Sequence, residues 1–130
     1  MRSEAVAAGA WAAALGGVPS TLHALATGRD PLEATKAAGA ILLPGEEGTV
    51  RLLAAAVPVH LALSFGWAIV LDRLGVRGPL RGAIAGLAIA ALDLGIVGRP
   101  FPRIRALPLG PQLLDHAAYG AVVGLVLERG

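Results

Sequence analysis

From Leu52 to Leu71 the chain carries no Asp, Glu, Lys or Arg, and a run of that kind leaves few folds open. About 20 mostly apolar residues in helical form cross the hydrocarbon core of a bilayer. Three further stretches qualify or nearly do. Ala5 to Thr27 is also free of charge. Leu80 to Gly98 is interrupted by Arg81 near its start and Asp93 near its end, and Pro111 to Leu127, the shortest, carries Asp115 and His116 in its first turns. The remaining charges gather between these runs. The pattern predicts an all-α, membrane-embedded four-helix bundle occupying residues 1–130 as a single domain, with spans at about 5–27, 52–71, 80–98 and 111–127.

Composition supports this. Hydrophobic residues make up 55% of the 130 and charged residues 15%, against roughly 25% charged in a soluble domain. A soluble domain of this length covers most of its surface with polar side chains, and this chain lacks them; its mean hydropathy is +0.69. The net charge of +2 comes from 11 basic residues against 9 acidic ones, and every basic residue except Lys36 is arginine. That charge is too small and too dispersed for a nucleic-acid surface. Arginines flanking apolar helices instead suit phosphate headgroups and topology, so the lipid bilayer is the expected partner. With 0 cysteines, disulfides, thiolate metal sites, iron–sulfur clusters and a cysteine nucleophile are excluded.

Between the first two runs, Asp30-Pro31-Leu32-Glu33 offers an N-cap, a proline at the first helical position and an acid in the first turn. The helix expected there runs over about 31–43 and ends at Pro44-Gly45. It is too short to span and contains Glu33 and Lys36, so an interfacial or re-entrant placement is expected. Pro19 and Pro58 fall inside apolar runs and mark expected kinks.

The first run has a rival reading as a cleaved signal peptide, with Arg2 before the apolar run and Ala24-Leu25-Ala26 as a small-x-small site. Against it, Glu4 neutralises the leading charge and the run is long. With four spans, Arg2, Arg73, Arg77, Arg81 and Arg129 share one side of the membrane. Arg29, Lys36, Arg51, Arg99, Arg103 and Arg105 share the other. This near balance does not select an orientation, and insertion both ways with antiparallel homodimers is an alternative.

Small residues recur at spacings of three, four or eight: Gly82, Gly86 and Ala90; Gly120 and Gly124; Ala56, Ser64 and Ala68; Gly9, Ala13 and Gly16. In lipid such ladders let helix backbones approach. The intramembrane polar residues lie in register with them: Asp93 after Ala90, His60 between Ala56 and Ser64, His116 before Gly120, His23 after Ser20. A charged or imidazole group facing lipid costs several kcal/mol, so each is expected to point inward. With alternating helix directions and ~1.5 Å of rise per residue, His23 lies ~6 Å, Asp93 and His116 ~7.5 Å and His60 ~12 Å from one membrane face. Ser20, Thr21, Asp115 and Tyr119 lie nearby, and the opposite half of the bundle is nearly all alanine, leucine, isoleucine and valine.

Several chemistries fit this one-sided His/Asp cluster. The plainest is structural: polar side chains bond one another, or backbone groups freed by proline, and fix helix register. The corresponding function is a non-enzymatic membrane component, structural or interacting with a partner membrane protein, with no cofactor. An alternative is a small transporter or proton- or ion-handling protein, since histidine titrates near neutral pH and a carboxylate lies at similar depth. A second is a metal- or haem-binding protein, since facing helices can assemble such sites without local motifs; no HxxxH or HExxH pairing is present. A Ser–His–Asp combination can be drawn from Ser20, Thr21 or Ser64, but no GxSxG elbow or phosphate loop occurs. Gly16-Gly17 is better read as packing than as a nucleotide site. Asp72 and Glu128, beside arginines, are expected to be solvated helix-end pairs of little energetic weight.

Pro19-Ser20-Thr21-Leu22-His23, Gly28-Arg29-Asp30-Pro31, and Asp115-His116 leading into Tyr119-Gly120 together resemble features of small uncharacterised integral membrane proteins of high-GC bacteria. The resemblance covers most of the chain. It implies a multi-pass protein of the bacterial inner membrane and carries no activity, cofactor or fold with it.

Overall fold

A computed structural model describes residues 2–130, and the described residues contain helices and turns but no strand. The helices are α1 (Ser3–Leu15), α2 (Val18–Ala26), α3 (Glu33–Gly39), α4 (Thr49–Arg73), α5 (Pro79–Leu92), α6 (Pro102–Arg105) and α7 (Leu109–Arg129), and a π-helical turn over Asp93–Val97 continues α5. Three units are long and apolar enough to cross a membrane: Ser3–Ala26 with 24 residues, Thr49–Arg73 with 25 and Pro79–Val97 with 19. The fourth expected span, α7, has 21 residues but does not belong with these three. Gln112, Asp115, His116, Glu128 and Arg129 dilute its apolar character.

The interior is made of small side chains. Ala8, Ala12, Ala37 and Ala68 are fully buried, while the largest fully buried side chains are Leu52 and Val123. Large apolar residues lie outside instead: Trp11, Leu22, Leu25, Ile84 and Leu114 are each about 60% exposed. Close helix approach replaces bulky interdigitation, as it does where lipid covers the outer faces.

The tightest approach joins α5 to α7. A Cβ on Gly82 would collide with the Gly120 carbonyl, one on Gly86 with the His116 carbonyl, and one on Gly124 with the Gly78 carbonyl. At the end of this seam the Gly78 N–H donates to the Gly124 carbonyl at 2.9 Å. Gly78 has φ of 88°, a region that a β-carbon disfavours. α1 packs between α4 and α7, α2 continues along α7, and α3 lies on the first turns of α4.

Several local features depart from the sequence-based expectations. The first run is two helices rather than one, broken at Gly16–Gly17, with Pro19 in the first turn of α2. The helix expected over 31–43 is confined to Glu33–Gly39. The Asp30 carboxylate accepts the Leu32 N–H at 2.9 Å, and the Asp30 carbonyl accepts that of Glu33. This makes Asp30–Glu33 a turn before the helix. Beyond Gly39, bonds from Ile41 to Ala38 and from Leu42 to Gly39 tighten the chain into further turns. In the connection before α7, residues Pro102–Arg105 form the short α6.

Asp72 is not a solvated helix-end acid. Its side chain is 6% exposed, and it pairs with Arg77 at 2.8 Å and Arg2 at 3.6 Å. The cause is the end of α4. The Val76 N–H bonds back to the Leu71 carbonyl and that of Gly75 to Asp72, with Gly75 at φ of 70°. This glycine-terminated turn folds the chain back so that Arg77 covers the carboxylate. Glu128 is exposed.

Candidate functional site

A polar chamber at a helix break

The break between α1 and α2 determines the chemistry of this half of the molecule. An interrupted helix leaves N–H groups at the new N-terminus and carbonyls at the new C-terminus without intrahelical partners, and inside an apolar environment such groups are costly. Two expected site residues meet them. The Ser20 N–H, in the first turn of α2, donates to Asp115 Oδ1 at 2.7 Å. The Ala13 carbonyl, in the last turn of α1, lies 2.9 Å from His60 Nε2, which as partner of a carbonyl must be the protonated nitrogen. An acid from α7 and an imidazole from α4 thus occupy the two ends of the break. The acid also lies where a helix N-terminus favours negative charge. Thr21 Oγ1 donates to the Gly17 carbonyl at 2.8 Å.

Two more polar links tie other helices together. His116 Nε2 stands 3.4 Å from Asp93 Oδ2, joining α7 to the start of the π-helical turn. The Tyr119 hydroxyl donates to the backbone carbonyl of Ser64, joining α7 to α4. His116 Nδ1 faces the Gln112 carbonyl at 2.8 Å, so Nδ1 carries hydrogen. Nε2 then faces the Asp93 carboxylate.

These groups line one cavity of about 380 Å³. Its walls are the break itself (Gly16, Gly17, Ser20, Thr21), α3 (Ala34, Thr35, Ala38), one face of α4 (Ala56, Val57, His60, Ser64, Trp67), Asp93, and α7 (Gln112, Asp115, His116, Tyr119). Seven of the eight expected cluster residues, all but His23, line this chamber. His60 is exposed overall although its ring reaches Ala13, and Ser64 is 4% exposed. His23 lines a separate cavity of about 140 Å³ with Arg29, Asp30 and Glu33. The two cavities share Ser20, Pro31, Ala34 and Gln112 as wall residues.

Among the described residues no three His, Asp or Glu side chains converge on a point where they would ligate a metal ion. His116 and Asp93 meet, but His60 is committed to α1 and Asp115 to α2.

Gln112 and Trp67 were not singled out from the sequence. Gln112 is 8% exposed and borders both cavities. The signal was present in the spacing, since Gln112 lies four residues before His116 and Trp67 three after Ser64, on the same helix faces.

Above the chamber the connecting segments are fastened by ion pairs. Lys36 Nζ bonds Asp30 at 2.6 Å, and Arg103 approaches Glu33 at 3.4 Å. The ammonium of Lys36 holds the Asp30 carboxyl below the usual carboxylate range, helped by the Leu32 N–H.

In comparisons with protein families, with curated proteins and with solved structures, nothing matches this chain.

Proposed function

We propose that the chain is a four-span, multi-pass component of a bacterial inner membrane, non-enzymatic, whose polar cluster holds a broken first span in place against three other helices. The observation that carries this reading is the pairing at the break: His60 takes the freed carbonyl of Ala13 and Asp115 the freed N–H of Ser20. Side chains committed to backbone groups in this way are positioned for architecture. α7 counts as the fourth span because its 21 residues reach ~31 Å at ~1.5 Å per residue, and Gln112, Asp115, His116 and Tyr119 line the chamber while Glu128 and Arg129 stand at its end. The short α3, lying on α4 near the membrane surface, fits an interfacial placement.

The test is thermal unfolding of the purified full chain in detergent. His60→Ala and Asp115→Ala each remove one end of the fastening and are expected to cost between about 0.6 and 3 kcal/mol, the range from an average interhelical polar contact to an abandoned buried backbone group. If both variants unfold like the parent, the structural reading fails.

One observation favours a second reading, a proton-handling protein: the His116–Asp93 pair, an imidazole beside a carboxylate, borders a cavity. Protein reconstituted in liposomes would then dissipate an imposed pH gradient, and His116→Gln would abolish this with stability retained. No dissipation by the parent protein discards this reading.

A further inference from the structure

We infer that the chamber is a binding site for a small organic monocation with an apolar body, a quaternary or protonated amine. Charge supplies the first argument. The chain has 11 lysines and arginines, yet none lines the chamber, whereas Asp93 and Asp115 both do. Asp93 is paired with His116 at 3.4 Å, whereas Asp115 takes part in no ion pair among the described residues. Its Oδ1 is taken by the Ser20 N–H; its other oxygen makes no hydrogen bond among the described residues. A partly buried carboxylate with no cationic partner is costly, and a bound cation offsets that cost.

The walls supply the second argument. Apolar residues, among them Ala12, Leu53, Leu63, Ile89 and Trp67, make up just over half of the lining, and Tyr119 adds a second aromatic side chain. Aromatic faces attract organic cations, and the aliphatic surface suits the ligand's apolar part. A volume of about 380 Å³ lies at the small end of the roughly 300–1,000 Å³ usual for small-molecule pockets. A phospholipid is a poor occupant, because no basic side chain lines the chamber to receive its phosphate. This inference goes beyond the architectural role, since His60 and Asp115 can fasten the break whether or not the chamber is filled.

The experiment uses Trp67 fluorescence. The chain has 2 tryptophans, and Trp11 faces outward, so Trp11→Phe leaves one reporter in the chamber wall. Purified full-length protein in detergent is titrated with benzyltrimethylammonium, its uncharged isostere neopentylbenzene, and the anion phenylmethanesulfonate. The expected result is a saturable change with the cation, at least tenfold weaker with the anion. Asp115→Asn, which keeps an oxygen for the Ser20 N–H, is expected to weaken cation binding at least tenfold and to leave the isostere unaffected. Ala34→Phe fills the chamber from α3 and is expected to abolish the response. No saturable response to the cation, equal binding of cation and anion, or a cation affinity unchanged by Asp115→Asn would each overturn the proposal. The cation–anion comparison needs no chamber variant and stands even if one fails to fold.

Discussion

Asp115 carries two burdens that a pair of substitutions separates. Its carboxylate accepts an N–H that the break between α1 and α2 leaves without a helical partner. Asparagine keeps an acceptor oxygen and alanine does not, so Asp115→Asn is expected to unfold near the parent temperature and Asp115→Ala below it. The His116–Asp93 link is measured by a double-mutant cycle with alanine at both positions, with a coupling of about 0.6 kcal/mol expected and about 1.7 as the upper end for membrane helices. A coupling indistinguishable from zero would show the pair contributes nothing to the fold. Outside the membrane, the Asp30 carboxyl is held below its ordinary value of 3.8 by Lys36. A lowered carboxylate pKa stabilises the fold at pH values above the unfolded one and loses that contribution as pH falls through the folded one. The Asp30–Lys36 contribution is therefore constant near neutrality and fades below about pH 4. Because Asp30 is exposed to solvent the effect is small, and Lys36→Met is expected to flatten that part of the pH–stability curve. At this scale the sequence was informative on residue type and register: polar groups set among small residues had to face inward. The partners were hidden because they are backbone atoms. Nothing in Ser20 or Ala13 announces that its main-chain group has lost its helical partner, and His23 separates from the cluster because α2 runs from a new start beyond the break.

The helices owe their lengths and meeting lines to glycine and proline in unequal measure. Pro58 remains inside α4, whereas Gly16–Gly17 followed by Pro19 breaks the first run. Two adjacent glycines weaken a helix by about 1 kcal/mol each relative to alanine, and the proline cannot donate to close the next turn. Together they do what a single proline does not. Along the seam of α5 and α7, backbone lies on backbone, so an added methyl group meets a carbonyl rather than a yielding side chain. Gly82→Ala is expected to cost at least the upper end of the ~1–3 kcal/mol usual for overpacking. Gly66→Ala, whose Cβ would meet nothing within 4 Å, is expected to be neutral or slightly stabilising; comparable losses at the two sites would contradict the seam. The small-residue ladders were visible in the sequence, but alanine is so abundant that they did not reveal which pairs of helices meet. The π-helical turn at Asp93 was invisible, since nothing about Asp93–Val97 in isolation distinguishes one wide turn from an ordinary one.

As a whole, the molecule divides into two unlike ends. At one, Arg2 and Arg77 cover the buried carboxylate of Asp72 where the chain turns from α4 toward α5. At the other, α3 and α6 lie over a chamber that gathers nearly every intramembrane polar side chain. Sequence alone located that polar half by counting residues along alternating helices, but not the chamber, which exists because the first span is broken and its neighbours close around the gap. The proposed four-span arrangement requires α7 to cross the membrane, even though it is less apolar than the three candidate spans. The absence of cysteine makes the decisive measurement simple: single substitutions Ser3→Cys and Gly130→Cys, labelled in intact membranes with an impermeant maleimide, report the side on which each end lies. Four spans predict that both cysteines label from the same face, with Gly45→Cys and Arg103→Cys labelling from the other. Ser3→Cys and Gly130→Cys on opposite faces would mean that α7 does not cross, and would contradict the account.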